Sequence, residues 1–113
     1  MPPAELDLIR GTLDLLLLKA LSWGPMHGLG VVRWIEQVTR QRLQIEEGAL
    51  YPALHRLDGK GLLESTWGYT EAGRRARYYQ LTPKGRKHLA AEVLKWNRYS
   101  EAVTLVLSAA GAA

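Results

Sequence analysis

A chain of 113 residues is long enough for one domain with a single core and leaves little room for a separate ligand-binding domain beside it. With 47% hydrophobic and 23% charged residues and no cysteine, the composition is that of a globular protein and excludes disulfides and thiolate zinc sites. The net charge of +4 is unevenly spread: residues 1–73 carry seven Lys/Arg against nine Asp/Glu, a net −2, and residues 74–113 carry eight against two, a net +6. The basic part attracts a polyanion, although membrane surfaces and acidic proteins would answer to the same charge. The longest aliphatic run, residues 15–18, is far too short to span a bilayer, and Met1-Pro2-Pro3-Ala4-Glu5 lacks a basic stretch followed by an apolar one. The expected location is the cytoplasm, with no membrane partner.

In chain order, Leu6, Ile9, Leu13, Leu16, Leu17 and Ala20 recur at spacings of three and four and predict a first helix over residues 5–22. Leu15 and Leu18 add apolar surface on its other sides, so this helix is expected to be covered on several sides, by its own domain and by a second chain. Trp23-Gly24-Pro25 stops it. A second helix from Met26 or His27 to Thr39 is expected to turn Leu29, Val32 and Ile35 inward, and Arg40, Gln41 and Arg42 form a short polar connection. A third helix runs from Glu46 or Gly48 to Lys60, buries Leu50, Leu54 and Leu57, and stops at Gly61. Pro52 predicts an irregular opening turn, because proline has no N–H to give to the helix.

Residues 62–68 and 76–81 are rich in β-branched and aromatic residues and predict a hairpin whose basic tip spans residues 69–75. Thr82 followed by Pro83 starts a last helix, with Thr82 as cap and Pro83 in the first turn. Along it Leu89, Val93, Trp96, Ser100, Val103 and Leu107 alternate spacings of four and three, a coiled-coil-like seam of about three heptads. The fold class is therefore mostly α with a small β-hairpin: a winged helix-turn-helix DNA-binding domain over residues 1–82 and a C-terminal dimerisation helix and tail over residues 83–113.

That order sends the third helix into the major groove and lays the hairpin on the neighbouring backbone or minor groove of double-stranded DNA. Arg74, Arg75 and Arg77 crowd the hairpin tip and return strand, where guanidinium groups can pair with phosphates and release counterions. On the third helix the candidate DNA-facing residues are Gly48, Ala49, Tyr51, Pro52 and His55, the small ones letting the backbone approach. Tyr51 has two readings: its hydroxyl meets a phosphate, or its ring packs under the first helix. His55 and Arg56 fit a solvated face, a flanking phosphate or a base edge equally well. With so few base-reading side chains, sequence would be read partly through DNA shape and bridging water. A two-fold operator requires a two-fold protein, and the seam residues Leu89, Val93, Trp96, Tyr99, Val103 and Leu107 are its candidate dimer interface. The histidines His27, His55 and His88 fall on separate elements with no paired carboxylates, and Gly28-Leu29-Gly30 follows no strand, so the reading is of no enzyme, no cofactor and no metal. The competing reading is a winged helix used for protein or RNA contact.

Four stretches carry a further resemblance: Gly24-Pro25-Met26-His27-Gly28, Glu47-Gly48-Ala49-Leu50-Tyr51-Pro52-Ala53-Leu54-His55-Arg56-Leu57, Gly61-Leu62-Leu63-Glu64, and Gly73-Arg74-Arg75-Ala76-Arg77-Tyr78-Tyr79-Gln80-Leu81-Thr82. In this order and spacing the chain resembles the PadR-type transcriptional regulators, specifically their short subgroup with one C-terminal helix. The resemblance implies a dimeric repressor of palindromic operators, relieved in many members by a small phenolic or drug-like molecule. It implies DNA contact by Tyr51 of the Leu-Tyr-Pro motif and by Arg74, Arg75 and Arg77. It also implies that Trp96, next to Tyr99, could stack a planar aromatic effector between subunits, against the plain alternative of core packing.

Overall fold

Leucine-rich faces of three helices close on one another because each is apolar on the side that its neighbours cover. The computed structural model describes residues 11–111, in the order α1 (Thr12–Leu21), β1 (Met26–His27), α2 (Gly28–Val38), α3 (Glu47–Gly59), β2 (Leu63–Tyr69), β3 (Arg75–Leu81) and α4 (Pro83–Ser108). Residues 5–10 of the first expected helix, with Leu6 and Ile9, lie outside the described residues. Leu17, Leu18 and Leu21 of α1, Val31 and Ile35 of α2, and Leu50, Leu54 and Leu57 of α3 are almost wholly removed from water. Each such leucine or isoleucine stabilises the fold by about 1.5–3 kcal/mol of transfer free energy. As its all-round apolar character predicts, α1 is central and touches α2, α3, β3 and α4. Among the described residues no helix is long and apolar enough to cross a membrane.

The sheet has one strand more than the sequence reading gives. β1 pairs antiparallel with β3, Met26 opposite Tyr79 and His27 opposite Tyr78, so the strand order is β1-β3-β2. Met26 and His27 therefore do not open α2. His27 is its cap, extended at φ −82° and ψ 164°, with Nδ1 accepting the Gly30 N–H at 3.2 Å. Leu29 does not turn inward as expected: it is 40% exposed, and Val31, Val32 and Ile35 form the buried face. α2 ends at Val38 and the chain turns off through Arg40 at φ 53°, where the Gln41 N–H donates to the Glu36 carbonyl at 2.8 Å and the Arg40 N–H to the Gln37 carbonyl at 3.1 Å, the paired bonds that terminate a helix.

In α3 the irregularity expected from Pro52 sits in the opening turn, where Ala49 and Leu50 both donate to the Glu46 carbonyl, at 3.0 and 3.1 Å. Pro52 offers the Gly48 carbonyl no N–H, and Gly48 is exposed, so water can satisfy it. The far end closes as its glycine predicts. Gly61 takes φ +76°, its N–H donates to Asp58, and the Leu62 N–H donates to Leu57 at 3.0 Å.

β2 and β3 run one residue further toward the tip than expected, to the pair Tyr69 and Arg75, leaving a turn over residues 70–74. The Thr70 N–H donates to the Arg74 carbonyl and the Gly73 N–H to the Thr70 carbonyl, both at 2.8 Å, with Gly73 at φ +80°. Thr82 then caps α4: its Oγ1 accepts the Gly85 N–H at 3.0 Å and donates to the Gly61 carbonyl at 2.6 Å. The same cap thus starts α4 and ties it to the end of α3. From this root α4 runs for 26 residues, about 39 Å at 1.5 Å per residue.

Candidate nucleic-acid interface

The exposed N-terminal part of α3 carries Glu46, Glu47, Gly48, Ala49, Tyr51, Pro52 and, one turn later, His55, all open to solvent. Tyr51 is 47% exposed, and its ring lies against the start of α2: a Cβ added to Gly28 would stand 3.0 Å from its Cε1 and 3.2 Å from its hydroxyl. The ring therefore packs on α2. Its outer half is free, and a side chain at position 28 would press on the ring, so glycine suits that close approach. Arg56 forms an ion pair with Asp14 of α1, Nη2 to Oδ1 at 2.5 Å, which ties α3 to α1.

The wing is asymmetric between its faces. Because strand residues alternate, the antiparallel pairs place Ser65, Trp67 and Tyr69 on one face with Tyr79, Arg77 and Arg75 opposite them. On this face the Arg75 guanidinium lies 4.3 Å and that of Arg77 5.5 Å from the Trp67 ring centroid. Arg77 Nε also donates to Ser65 Oγ at 2.9 Å, and Ser65 Oγ donates to Asp58 Oδ2 of α3 at 3.5 Å. Tyr79 is buried at the foot of the face. Burial raises its phenol pKa above the usual tyrosine value against the opposing pull of Arg77, with smaller upward contributions from Asp58 and Tyr51. The tyrosine is accordingly neutral near pH 7.

On the other face Tyr78 supports the sheet. Its hydroxyl donates to the Tyr69 carbonyl at 2.9 Å, His27 meets its ring edge-on at 5.5 Å, and a Cβ on Gly68 would come within 2.9 Å of that ring. One face of the wing is thus braced from behind while the other presents arginines.

Gly28, Tyr51, Trp67, Arg74, Arg75 and Arg77 all line one open hollow of about 420 Å³. The structure brings together, across α3 and the wing, the tyrosine and the three arginines singled out in sequence. Gly48, Ala49, Pro52 and His55 stay on the exposed surface of α3. The sequence does not single out Trp67 or Ser65. Their alternation with Tyr69 opposite Arg75 and Arg77 could have found them, but only once the hairpin register was known. The histidines stay apart: His27 caps α2, His55 is exposed on α3, and His88 lies 3.9 Å from Glu92 on α4.

The seam residues divide. Leu89 is 8% exposed and belongs to the chain's own core, whereas Val93, Tyr99, Val103 and Leu107 are exposed, as are Leu94, Leu105 and Val106. Trp96 is half-buried, with its ring centroid 6.3 Å from that of Tyr99. The two line an open hollow of about 320 Å³ with Thr12 and Leu15 of α1 and Glu92 and Lys95 of α4.

A helix-turn-helix whose third helix shares one hollow with a basic, three-stranded wing places this chain in the class of winged helix-turn-helix transcriptional regulators. Residues 17–91 match the profile of the transcriptional regulator PadR-like family, and the chain belongs to that family, whose members are DNA-binding regulators and not enzymes. It is 34% identical over 84 residues to the transcriptional regulator Rv3488 of Mycobacterium tuberculosis, covering 74% of each chain. A transcriptional regulator from Clostridium thermocellum superposes with a TM-score of 0.77 at 29% identity, over 84% of this chain and 92% of that one. The PadR-like regulator of Bacillus cereus superposes with a TM-score of 0.75 at 25% identity, over 88% and 95%.

Proposed function

We propose that the chain acts as a homodimer that represses transcription by binding a palindromic operator. The α3 helix enters the major groove through Gly48, Ala49, Tyr51, Pro52 and His55, and Arg74, Arg75 and Arg77 hold the flanking phosphates. The observation that carries this reading is the common hollow of Tyr51 and the wing arginines, a tyrosine donor and three cations on one side of the molecule. Selection from a random duplex pool, in excess competitor DNA, tests it. Inverted repeats should be retained, with half-site centres one helical turn, about 10–10.5 base pairs, or a multiple apart. A pool that stays random would reject it in favour of protein or RNA contact.

Residues 83–113 serve as the dimerisation segment in this reading. Its support is the apolar surface of Val93, Tyr99, Val103 and Leu107, which the chain's own domain leaves uncovered. Leu89 anchors α4 at home instead, so truncation near Lys87 would damage the core as well as the seam. Val103→Lys with Leu107→Lys isolates the seam: sedimentation should give the monomer mass with an unchanged circular dichroism spectrum. A dimer of undiminished stability would remove this surface from the account. A small planar aromatic effector that relieves repression would stack at Trp96, where Tyr99 and the adjoining hollow against α1 favour such a ligand.

A further inference from the structure

Arginine side chains on an exposed hairpin ordinarily sample many rotamers, and fixing each of them on a phosphate opposes binding through lost conformational entropy. Here two of the wing arginines are already gathered. Arg75 and Arg77 both lie over one indole, at 4.3 and 5.5 Å, and Arg77 is also held through its Nε by Ser65. Trp67 is 58% exposed and outside the buried cluster that holds the helices together. A large apolar ring in that position does little for the fold. Its π face, however, keeps two cations within one small area of the hollow that also contains Tyr51.

We propose that Trp67 is a positioning residue for DNA binding: it preorders Arg75 and Arg77 by cation–π stacking, so that both guanidinium groups are presented to adjacent phosphates before DNA arrives. This rests on the proposed DNA-binding role of the wing. Ser65 acts in the same direction, since a hydrogen bond to Nε leaves the terminal nitrogens of Arg77 free for a phosphate.

The test has one arm without DNA and one with it. In the free protein, ¹⁵N relaxation of the arginine Nε–H groups should show Arg75 and Arg77 ordered, and Trp67→Leu should release Arg75 and loosen Arg77, which keeps its bond to Ser65, while leaving the melting temperature nearly unchanged. In the second arm, two exposed cation–π contacts per protomer, each worth a factor of about two to five, predict that Trp67→Leu weakens binding of the selected duplex by the proposed dimer at least about tenfold. Trp67→Phe, which keeps a π face, should restore part of that. In an Arg75→Ala, Arg77→Ala background Trp67→Leu should cost nothing further. Unchanged arginine order in Trp67→Leu overturns the proposal whether or not the protein binds DNA. An equal loss in both backgrounds also overturns it, because Trp67 would then be touching DNA itself. Absence of duplex binding by the wild-type protein would instead reject the DNA-binding reading, with the relaxation arm still deciding the role of Trp67.

Discussion

Gly85→Ala is expected to destabilise the protein by about 3 kcal/mol, the upper part of the range for overpacking, and to lower the melting midpoint by roughly 12 °C or more. A Cβ at this position would stand 2.0 Å from the Leu62 carbonyl oxygen and 3.0 Å from its carbonyl carbon, so it meets backbone and not a side chain that can swing aside. Leu62 has little freedom to retreat. Its N–H is bonded to Leu57 at the end of α3, its carbonyl accepts the Thr82 N–H at 3.1 Å, and its side chain is buried. Intrinsic helix propensity pulls the other way, since alanine is better than glycine in a helix by about 1 kcal/mol. The sign therefore reports the contact. Gly48→Ala is the control, with nothing within 4 Å of the added methyl, and should be neutral or stabilising by up to about 1 kcal/mol. Urea melts of both variants decide the matter; a stabilised Gly85→Ala would mean that α4 is not rooted on Leu62.

Arg75→Ala combined with Arg77→Ala is expected to weaken binding of the proposed operator at least 100-fold with little change in stability. Charge-assisted hydrogen bonds contribute about 1.5–3 kcal/mol each, and both arginines are exposed on the wing. Each lost phosphate contact should also flatten the dependence of log K on log salt by about 0.9, so in the proposed dimer the loss of four arginines should remove a slope of between three and four. Arg56→Ala should behave differently. Its guanidinium is paired with Asp14, so the main effect falls on the docking of α3 against α1, at most about 1 kcal/mol for a partly exposed pair. Titrations at several salt concentrations separate the two patterns.

The features legible in the sequence were those fixed by local chemistry. Gly61 ends α3 because a left-handed residue is needed there, and Thr82 with Pro83 starts α4 because a hydroxyl cap and a preset φ suit a first turn. The leucine spacing of α3 locates its buried face for the same reason. What escaped depends on partners distant in the chain. β1 is two residues long and exists through pairing with Tyr78 and Tyr79, so Met26 and His27 carry no periodic signal of their own. Leu29 fits the helical spacing of Val32 and Ile35, but the buried arc of α2 runs through Val31, Val32 and Ile35, and in the fold Leu29 faces the wing side. Leu89 fits the seam by spacing, but a heptad cannot say whether its cover comes from its own domain or another chain. Trp67 needed the register of the hairpin, and the Arg56–Asp14 pair joins residues 42 positions apart.

The salt dependence of binding to the selected duplex tests the central claim most directly. If two protomers each bring Arg74, Arg75 and Arg77 to the phosphates, six cations predict a slope of log K against log salt of about −5 or steeper. A slope near zero, or equal displacement by unrelated competitor DNA, would contradict a wing-and-helix grip on a specific operator.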